Sequence, residues 1–355
     1  MSDMHGTTAA MRTGVAAGLG SAVLFGLVAP LSKFLLGAAD GWVLAGLLYL
    51  GAGLGLAAVS AVRRWRRISP SEGALRLRDM PWLVAVVALG GVAGPLLLIF
   101  GLARTSAASG SLLLNLEGLA TMAIAWLVFR ENVDRRLLWG AAAILAGAVL
   151  VSFRAGTLGL DMGGVLIAAA CLCWGIDNNL TRKLSSADPV QIAMIKGLAA
   201  GTVNLLTALA LGAALPAPPA MAAALVLGFI GIGLSLVLFM LALRHLGAAR
   251  TGAYFSLAPF IGAVGALAIL GEAPTLQLVL GGLLMGLGVW LHVTERHVHE
   301  HEHATVEHEH SHVHDEHHQH PHDGPVVEPH SHLHRHTGLR HSHPHYPDLH
   351  HRHSH

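Results

Sequence analysis

Charged side chains are scarce in this chain. Only 12% of its 355 residues are Asp, Glu, Lys or Arg, whereas 53% are hydrophobic. A soluble domain of ordinary composition carries about twice that share of charge to solvate its surface. The low charge therefore excludes soluble globular domains, although the chain is long enough to form two of them.

Cysteine is almost absent as well. The chain has two, Cys171 and Cys173. Because they lie two residues apart, their side chains diverge on a helix and cannot form a disulfide with each other. The sequence also lacks a nucleophile motif, a phosphate-binding loop and a closed metal site. We therefore expect a protein that is not an enzyme, requires no cofactor and has no nucleic-acid partner.

Long apolar runs fill most of the chain. A helix needs about 20 apolar residues to cross a bilayer, and ten runs approach or reach this length. They lie near 14–36, 42–62, 82–103, 106–129, 137–153, 162–181, 190–212, 220–243, 251–270 and 275–294. The sequence therefore predicts an all-α membrane protein with ten transmembrane helices in a lipid bilayer.

Basic residues alternate between the predicted loops. Six arginines lie between the second and third runs, and Lys or Arg recurs in the fourth-to-fifth, sixth-to-seventh and eighth-to-ninth loops. The intervening loops hold only Arg104 and Arg154. Cytoplasmic loops carry the excess of Lys and Arg. We therefore expect a multi-pass protein of the inner (plasma) membrane with both termini cytoplasmic, residues 1–13 being the N-terminal cytoplasmic segment.

Two stretches of the first half recur in the second. Phe25–Leu35 aligns with Trp174–Leu184 at an offset of 149 residues, and Ala103–Glu131 aligns with Arg244–Glu272 at an offset of 141. An odd number of spans in each copy forces the second to insert upside-down. The sequence thus predicts two inverted five-helix repeats, at 14–153 and 162–294, with the substrate site between them.

These repeated segments resemble a known family. The W-G…R pattern from Trp174 to Arg182, its partner FGLVAPLSK, the Ser/Ala-rich start of the fourth span and the endings at Glu131 and Glu272 are similar to the EamA family of the drug/metabolite transporter superfamily. The resemblance covers residues 14–294. It implies ten helices, a central cavity and export or exchange of small solutes such as amino acids or metabolites. We accordingly expect a secondary transporter, a permease working by alternating access, with a small-molecule substrate.

Polar residues inside the spans are candidates for the substrate site, because an ionisable side chain in a membrane is costly unless it is paired or hydrated. Trp174, Asp177 and Thr181 share one helix face. Asp177 would suit a cationic or amphipathic solute or relay a proton; alternatively, it forms an ion pair with Lys33 or Lys196. The candidate substrate-binding residues are Trp174, Asp177, Asn178, Thr181, Asn115, Glu117, Lys33 and Tyr254.

Three of these candidates have competing interpretations. Glu117 lies too deep in its span to reach the interface, so it either pairs with a lysine or lines water. Lys33 lies near the end of its helix, where reaching toward the interface also explains it. Tyr254 is either a gate or hydrogen-bond donor, or a packing residue.

The last 60 residues form a different kind of segment. Residues 296–355 hold 23 of the 26 histidines and no apolar run that could build a core, so we expect a disordered His-rich cytoplasmic tail. Imidazole is a common ligand of Zn, Ni and Co ions. The candidate metal ligands are His299, His301, His303, His308, His310, His312 and His314.

The tail leaves three interpretations open. It loads Zn, Ni or Co onto a body that exports the metal, it senses metal or pH and makes the protein a membrane-anchored sensor or buffer, or it is tolerated low-complexity sequence. Against metal export, the spans contain no histidine cluster or ligand-spaced acids; His292 lies at the end of the last helix.

Overall fold

A computed structural model describes the body of the chain and parts of its tail. The described residues are 2–66, 75, 77–129, 135–153, 161–181, 184, 188–294, 298–302, 307–312, 330–335 and 340–344. Glu131 and Arg182, which contributed to the repeat alignment, lie outside them, as do His303 and His314.

Ten helical segments in the described body are long and apolar enough to cross a membrane. In chain order, and numbered here as spans 1 to 10, they are Met11–Leu35, Gly41–Trp65, Met80–Leu102, Ala107–Val128, Arg135–Ser152, Met162–Thr181, Pro189–Ala210, Pro218–Leu243, Arg250–Leu270 and Leu276–Val293. Their bounds agree with the apolar runs to within a few residues. The predicted ten-helix membrane fold is confirmed.

Several spans are assembled from shorter helical pieces. The α-helices are Ser2–Gly26, Val28–Leu35, Gly41–Trp65, Met80–Val86, Gly94–Leu102, Ala107–Leu113, Leu116–Phe129, Arg135–Ser152, Met162–Thr181, Pro189–Ala210, Pro218–Leu227, Ser235–Phe255, Ala258–Leu270 and Leu276–Val293. A 3₁₀ turn covers Leu77–Asp79, and π-helical turns cover Val87–Ala93 and Gly228–Leu234. The segment Ser235–Phe255 includes the end of span 8 and the start of span 9. Its helical geometry is interrupted by a kink at Gly247, where φ is 78°.

The irregular turns occur at equivalent places in the two halves. The π-helical turns of spans 3 and 8 begin 141 residues apart, at Val87 and Gly228. Span 4 breaks between Leu113 and Leu116, and span 9 breaks at the equivalent point, between Phe255 and Ala258. The irregularities therefore belong to the repeat.

The helix packing also follows the repeat. Span 2 packs on span 7, span 4 on span 9 and span 5 on span 10, so equivalent spans meet each other. Contact of span 3 with span 6 is matched by contact of span 8 with span 1. Equivalent spans thus pack on each other, and the other contacts between the halves occur in matched pairs. A twofold relation between inverted five-helix halves requires this pattern.

Glycines bring the backbones of spans 2 and 7 together. A Cβ on Gly53 would lie 2.5 Å from the backbone nitrogen of Leu198, and one on Gly197 would lie 2.7 Å from that of Gly53. Small residues at such crossings let helices in lipid approach closely. This crossing fixes span 7, which carries Lys196, against the first half.

Described stretches of the tail form two antiparallel ladders. Strand β1, Val298–Glu302, pairs with β4, Arg340–Pro344, and β2, Glu307–His312, pairs with β3, His330–Arg335. The disorder expected of residues 296–355 as a whole stays a prediction. The alternation of His with other residues in these strands has the two-residue period of a strand, a signal that a composition argument ignores.

Candidate functional site

The candidate site begins at the π-helical turn of span 3. In a π-helix, the carbonyl of a residue accepts from the N–H five residues later. For Gly90 that residue is Pro95, which has no N–H. The Gly90 carbonyl is therefore free of its helical partner and available to other side chains.

Two side chains from other spans bind this carbonyl. The Tyr49 hydroxyl donates to it at 2.9 Å, and the Trp174 Nε1–H donates to it at 3.0 Å. Tyr49 comes from span 2 and Trp174 from span 6. The freed carbonyl thus joins three spans, and Trp174 is held by it from one side.

An ion pair lies beside the same glycine. The Asp177 carboxylate of span 6 is paired with Lys196 Nζ of span 7, and its other oxygen accepts from the Thr181 hydroxyl at 3.3 Å. The Asp177 side chain is 5% exposed. Of the two predicted lysine partners, the structure places Lys196 against Asp177.

Glu117 of span 4 forms the open side of the cluster. One carboxylate oxygen accepts from Asn178 Nδ2 at 3.0 Å, and the same amide donates to the Thr121 hydroxyl at 3.2 Å. Glu117 is only half-buried and Asn178 is exposed. Glu117 is also close enough to interact electrostatically with Lys196 and Asp177.

Five predicted site residues meet in this polar cluster, which we define as Tyr49, Gly90, Glu117, Thr121, Trp174, Asp177, Asn178, Thr181 and Lys196. The predicted members are Trp174, Asp177, Asn178, Thr181 and Glu117. Sequence reasoning missed Tyr49, Gly90 and Thr121. The adjacent glycines 90 and 91, which lie five and four residues before Pro95 inside an apolar run, were the available signal.

Three predicted residues have other contacts. Asn115 donates to the Leu112 carbonyl at 2.8 Å, at the break of its own span. Lys33 donates to the carbonyls of Leu102 and Thr105, where span 3 ends. Tyr254 packs against span 1, since a Cβ added at Gly18 would lie 3.3 Å from its Cβ.

The region that the repeat relates to this cluster is apolar. Phe25, the repeat equivalent of Trp174, lies 5.3 Å from Phe255 between ring centroids, and Phe255 lies 5.0 Å from Phe239. The equivalent of Pro95 is Leu236, so no carbonyl is freed in the same way. Spans 4, 6 and 7 therefore carry the charged groups, whereas spans 1, 8 and 9 carry aromatic rings in the equivalent region.

A separate polar cavity lies at the end of the bundle where spans 3 and 4, 5 and 6, and 9 and 10 connect. Its volume is about 600 Å³, and Lys33, Arg104, Asp161 and Glu272 are among its lining residues. Glu272 accepts from the backbone N–H groups of Ala107 and Ala108, at 2.7 and 2.9 Å. It therefore caps the first helix of span 4.

Within the residues that the structure describes, no group of three or more His, Cys, Asp or Glu side chains is arranged to hold a metal. Of the predicted tail ligands, His299 and His301 lie on β1, and His308, His310 and His312 lie on β2. The register places His308, His310 and His312 opposite His334, His332 and His330.

The chain matches one family in two separate places. The EamA-like transporter family matches residues 12–153 and again 161–294, close to the two predicted repeats. A solved structure known only as "Crystal structure of protein" has the same fold, with a TM-score of 0.58 and 20% identity over 79% of this chain and 95% of that one.

Curated relatives are also transport proteins. An uncharacterized transporter of Methanothermobacter thermautotrophicus is 30% identical over 283 residues, covering 76% of this chain and 82% of that protein. A probable terminal-alkyne amino-acid exporter of Streptantibioticus cattleyicolor is 26% identical over 61% of this chain and 74% of its own. A probable 4-amino-4-deoxy-L-arabinose-phosphoundecaprenol flippase subunit of Pseudomonas paraeruginosa is 40% identical over 115 residues, 32% of this chain and 96% of that protein.

Proposed function

Because the chain belongs to the EamA-like transporter family, we propose that this multi-pass membrane transporter exports or exchanges a small organic metabolite or amino acid. Transport would proceed by alternating access between the two inverted halves, as in other transporters built from inverted repeats. We further propose that the protein lies in the plasma membrane with both termini cytoplasmic, because the basic loops alternate in this sense.

The polar cluster is the observation that supports a substrate with an amino group. It holds two carboxylates, Glu117 and Asp177, and one lysine, Lys196, so its formal charge is −1. An ammonium group would neutralise this charge within the bundle. Two relatives are named for amino-group compounds, an amino acid in one and an aminoarabinose lipid in the other.

Uptake into proteoliposomes would test this function. Leucinamide, leucine and isohexanol form a matched panel with a cationic, a zwitterionic and a neutral member. We expect saturable uptake of at least one amine and none of the alcohol beyond protein-free liposomes. If no amine in the panel is transported, the proposed substrate class is wrong.

The tail supports a second proposal, reversible binding of Zn, Ni or Co. The observation is the register of β2 and β3, in which three histidines of one strand face three of the other. Opposite positions on antiparallel strands lie about 5 Å apart at Cβ, and alternate residues share a face. Imidazole is a donor that these metals prefer, and the register pairs six histidine positions in one ladder.

Two matched variants of the full chain would test the ladder. One replaces His308, His310, His312, His330, His332 and His334 with Asn. The control replaces six other tail histidines, at positions 317, 318, 320, 322, 336 and 345. In zinc titration calorimetry, the first variant should lose the tightest sites and the control should keep them; equal losses would mean that only histidine content matters.

A further inference from the structure

We infer that Glu117, and not Asp177, binds the substrate's ammonium group and exchanges it for a proton. This inference rests on the proposed transport of an amine. It adds the residue that binds the substrate, the charge of the substrate and the ion to which transport is coupled. It follows from how differently the two carboxylates of the polar cluster are surrounded.

Asp177 is already neutralised. Lys196 Nζ pairs with one of its oxygens, and Thr181 donates to the other at 3.3 Å. The backbone of Gly90 closes over the pair, since a Cβ there would lie 2.0 Å from Asp177 Oδ2 and 2.7 Å from Lys196 Nζ. An arriving cation would have to displace Lys196 from a carboxylate that is 5% exposed.

Glu117 is oriented but not neutralised. Asn178 donates to its Oε1 at 3.0 Å, and among the described residues Oε2 has no hydrogen-bond partner. The Glu117 side chain is half-buried, and its partner Asn178 is exposed. The carboxylate therefore has a free oxygen and is partly accessible, as binding of a cation requires.

The geometry also predicts how many protons are exchanged for each substrate cation. One uncompensated carboxylate is neutralised by one proton or by one monovalent ammonium ion, so the two compete for it. On the cytoplasmic side, the cation binds as the Glu117 carboxyl releases its proton; on the far side, a proton restores the carboxyl as the cation leaves. One proton enters for each cation exported, so no net charge moves.

The same surroundings disfavour a zwitterion. The carboxylate of a free amino acid would need a cation, and Lys196 is engaged by Asp177. A buried charge without a partner is costly. The inferred cargo is therefore a monovalent organic ammonium ion, and leucinamide should be transported faster than leucine by at least tenfold.

Leucinamide uptake into proteoliposomes of the full chain would test the coupling, with protein-free liposomes subtracted. A pH gradient, acidic inside, should drive accumulation, whereas a potassium–valinomycin potential should change the initial rate less than twofold. Uptake that ignores the pH gradient, or follows the potential, would overturn this inference and leave the proposed transport standing. Uptake of leucine without leucinamide would overturn this inference alone, and uptake of neither would overturn both.

Two variants locate the effect at Glu117. Glu117→Gln keeps the shape and the bond to Asn178 but cannot ionise, so gradient-driven accumulation should fall to the protein-free level. Glu117→Asp retains a carboxylate and should retain dependence on the pH gradient, at a lower rate. Thermal midpoints in detergent would show that both variants fold, and coupling that survives in Glu117→Gln would contradict the assignment.

Discussion

Gly90 has the strictest steric requirement among the residues around the buried ion pair. Replacing it with Ala would place a Cβ 2.0 Å from Asp177 Oδ2 and 2.7 Å from Lys196 Nζ, closer than any normal contact. We expect Gly90→Ala to lower transport at least tenfold and to lower the thermal midpoint. Gly286→Ala is the matched control, because its new Cβ would meet only Phe260 ring atoms at 3.8 Å or more. Equal effects of the two changes would argue against this packing.

The ion pair itself makes a second prediction at this scale. Removing one partner of a buried pair leaves an uncompensated charge and costs about 3–5 kcal/mol, whereas removing both is much milder. Asp177→Asn and Lys196→Met should therefore each lower the thermal midpoint strongly, and the double variant should recover most of the loss. Melting curves of the four proteins in one detergent would check this. A double variant no more stable than the worse single one would contradict a structural pair.

At the scale of residues, the sequence could predict only which side chains share a face of the same helix. The spacing of Trp174, Asp177 and Thr181 predicts a shared face, and the structure brings all three to the polar cluster. It could not show that Tyr49 would share a carbonyl with Trp174, because that depends on which spans are neighbours. For the same reason the lysine partner of Asp177 stayed open between Lys33 and Lys196.

Among the helices, the first piece of span 4 depends on a residue from another connection. Glu272 accepts from the N–H groups of Ala107 and Ala108, whereas the local cap, Ser106, accepts only from Ser109. Charged caps bond more strongly than neutral ones, and loss of a cap typically costs about 1 kcal/mol. Glu272→Ala should therefore lower the thermal midpoint more than Ser106→Ala. The reverse order would mean that the local serine is the main cap.

Helix irregularities were only partly predictable. Pro259 signalled the break of span 9, because its missing N–H cannot bond the Phe255 carbonyl. The matching break of span 4 contains Asn115 and no proline, and hydropathy does not distinguish a π-helical turn from an α-helical one. These features depend on packing between halves, so a repeat alignment could predict their positions only after one copy was known.

At the scale of the whole molecule, the two halves share a fold and differ in chemistry. The first-half turn at Gly90 ends at Pro95 and frees a carbonyl, whereas the second-half turn ends at Leu236. Phe25 lies among aromatic rings where Trp174 donates a hydrogen bond. The charged groups of the polar cluster come from both halves, Glu117 from the first and Asp177 and Lys196 from the second. Transport of charge is therefore expected to depend on spans 4, 6 and 7, and changes in the aromatic region of spans 1, 8 and 9 should alter which apolar group is accepted.

The inversion of the halves is open to a direct test of membrane topology. Leu77, in the connection between spans 2 and 3, is 90% exposed, and Leu215, in the equivalent connection between spans 7 and 8, is 52% exposed. In a background with Cys171 and Cys173 replaced by Ala, a single cysteine would be placed at either position.

Because each half has five spans, equivalent connections must lie on opposite sides of the membrane. The basic loop around Leu77 is expected in the cytoplasm, so an impermeant maleimide should label Leu215→Cys in intact cells and Leu77→Cys only after permeabilisation. Labelling of both in intact cells would contradict the inverted arrangement, and the opposite order would reverse the proposed orientation while preserving the inversion.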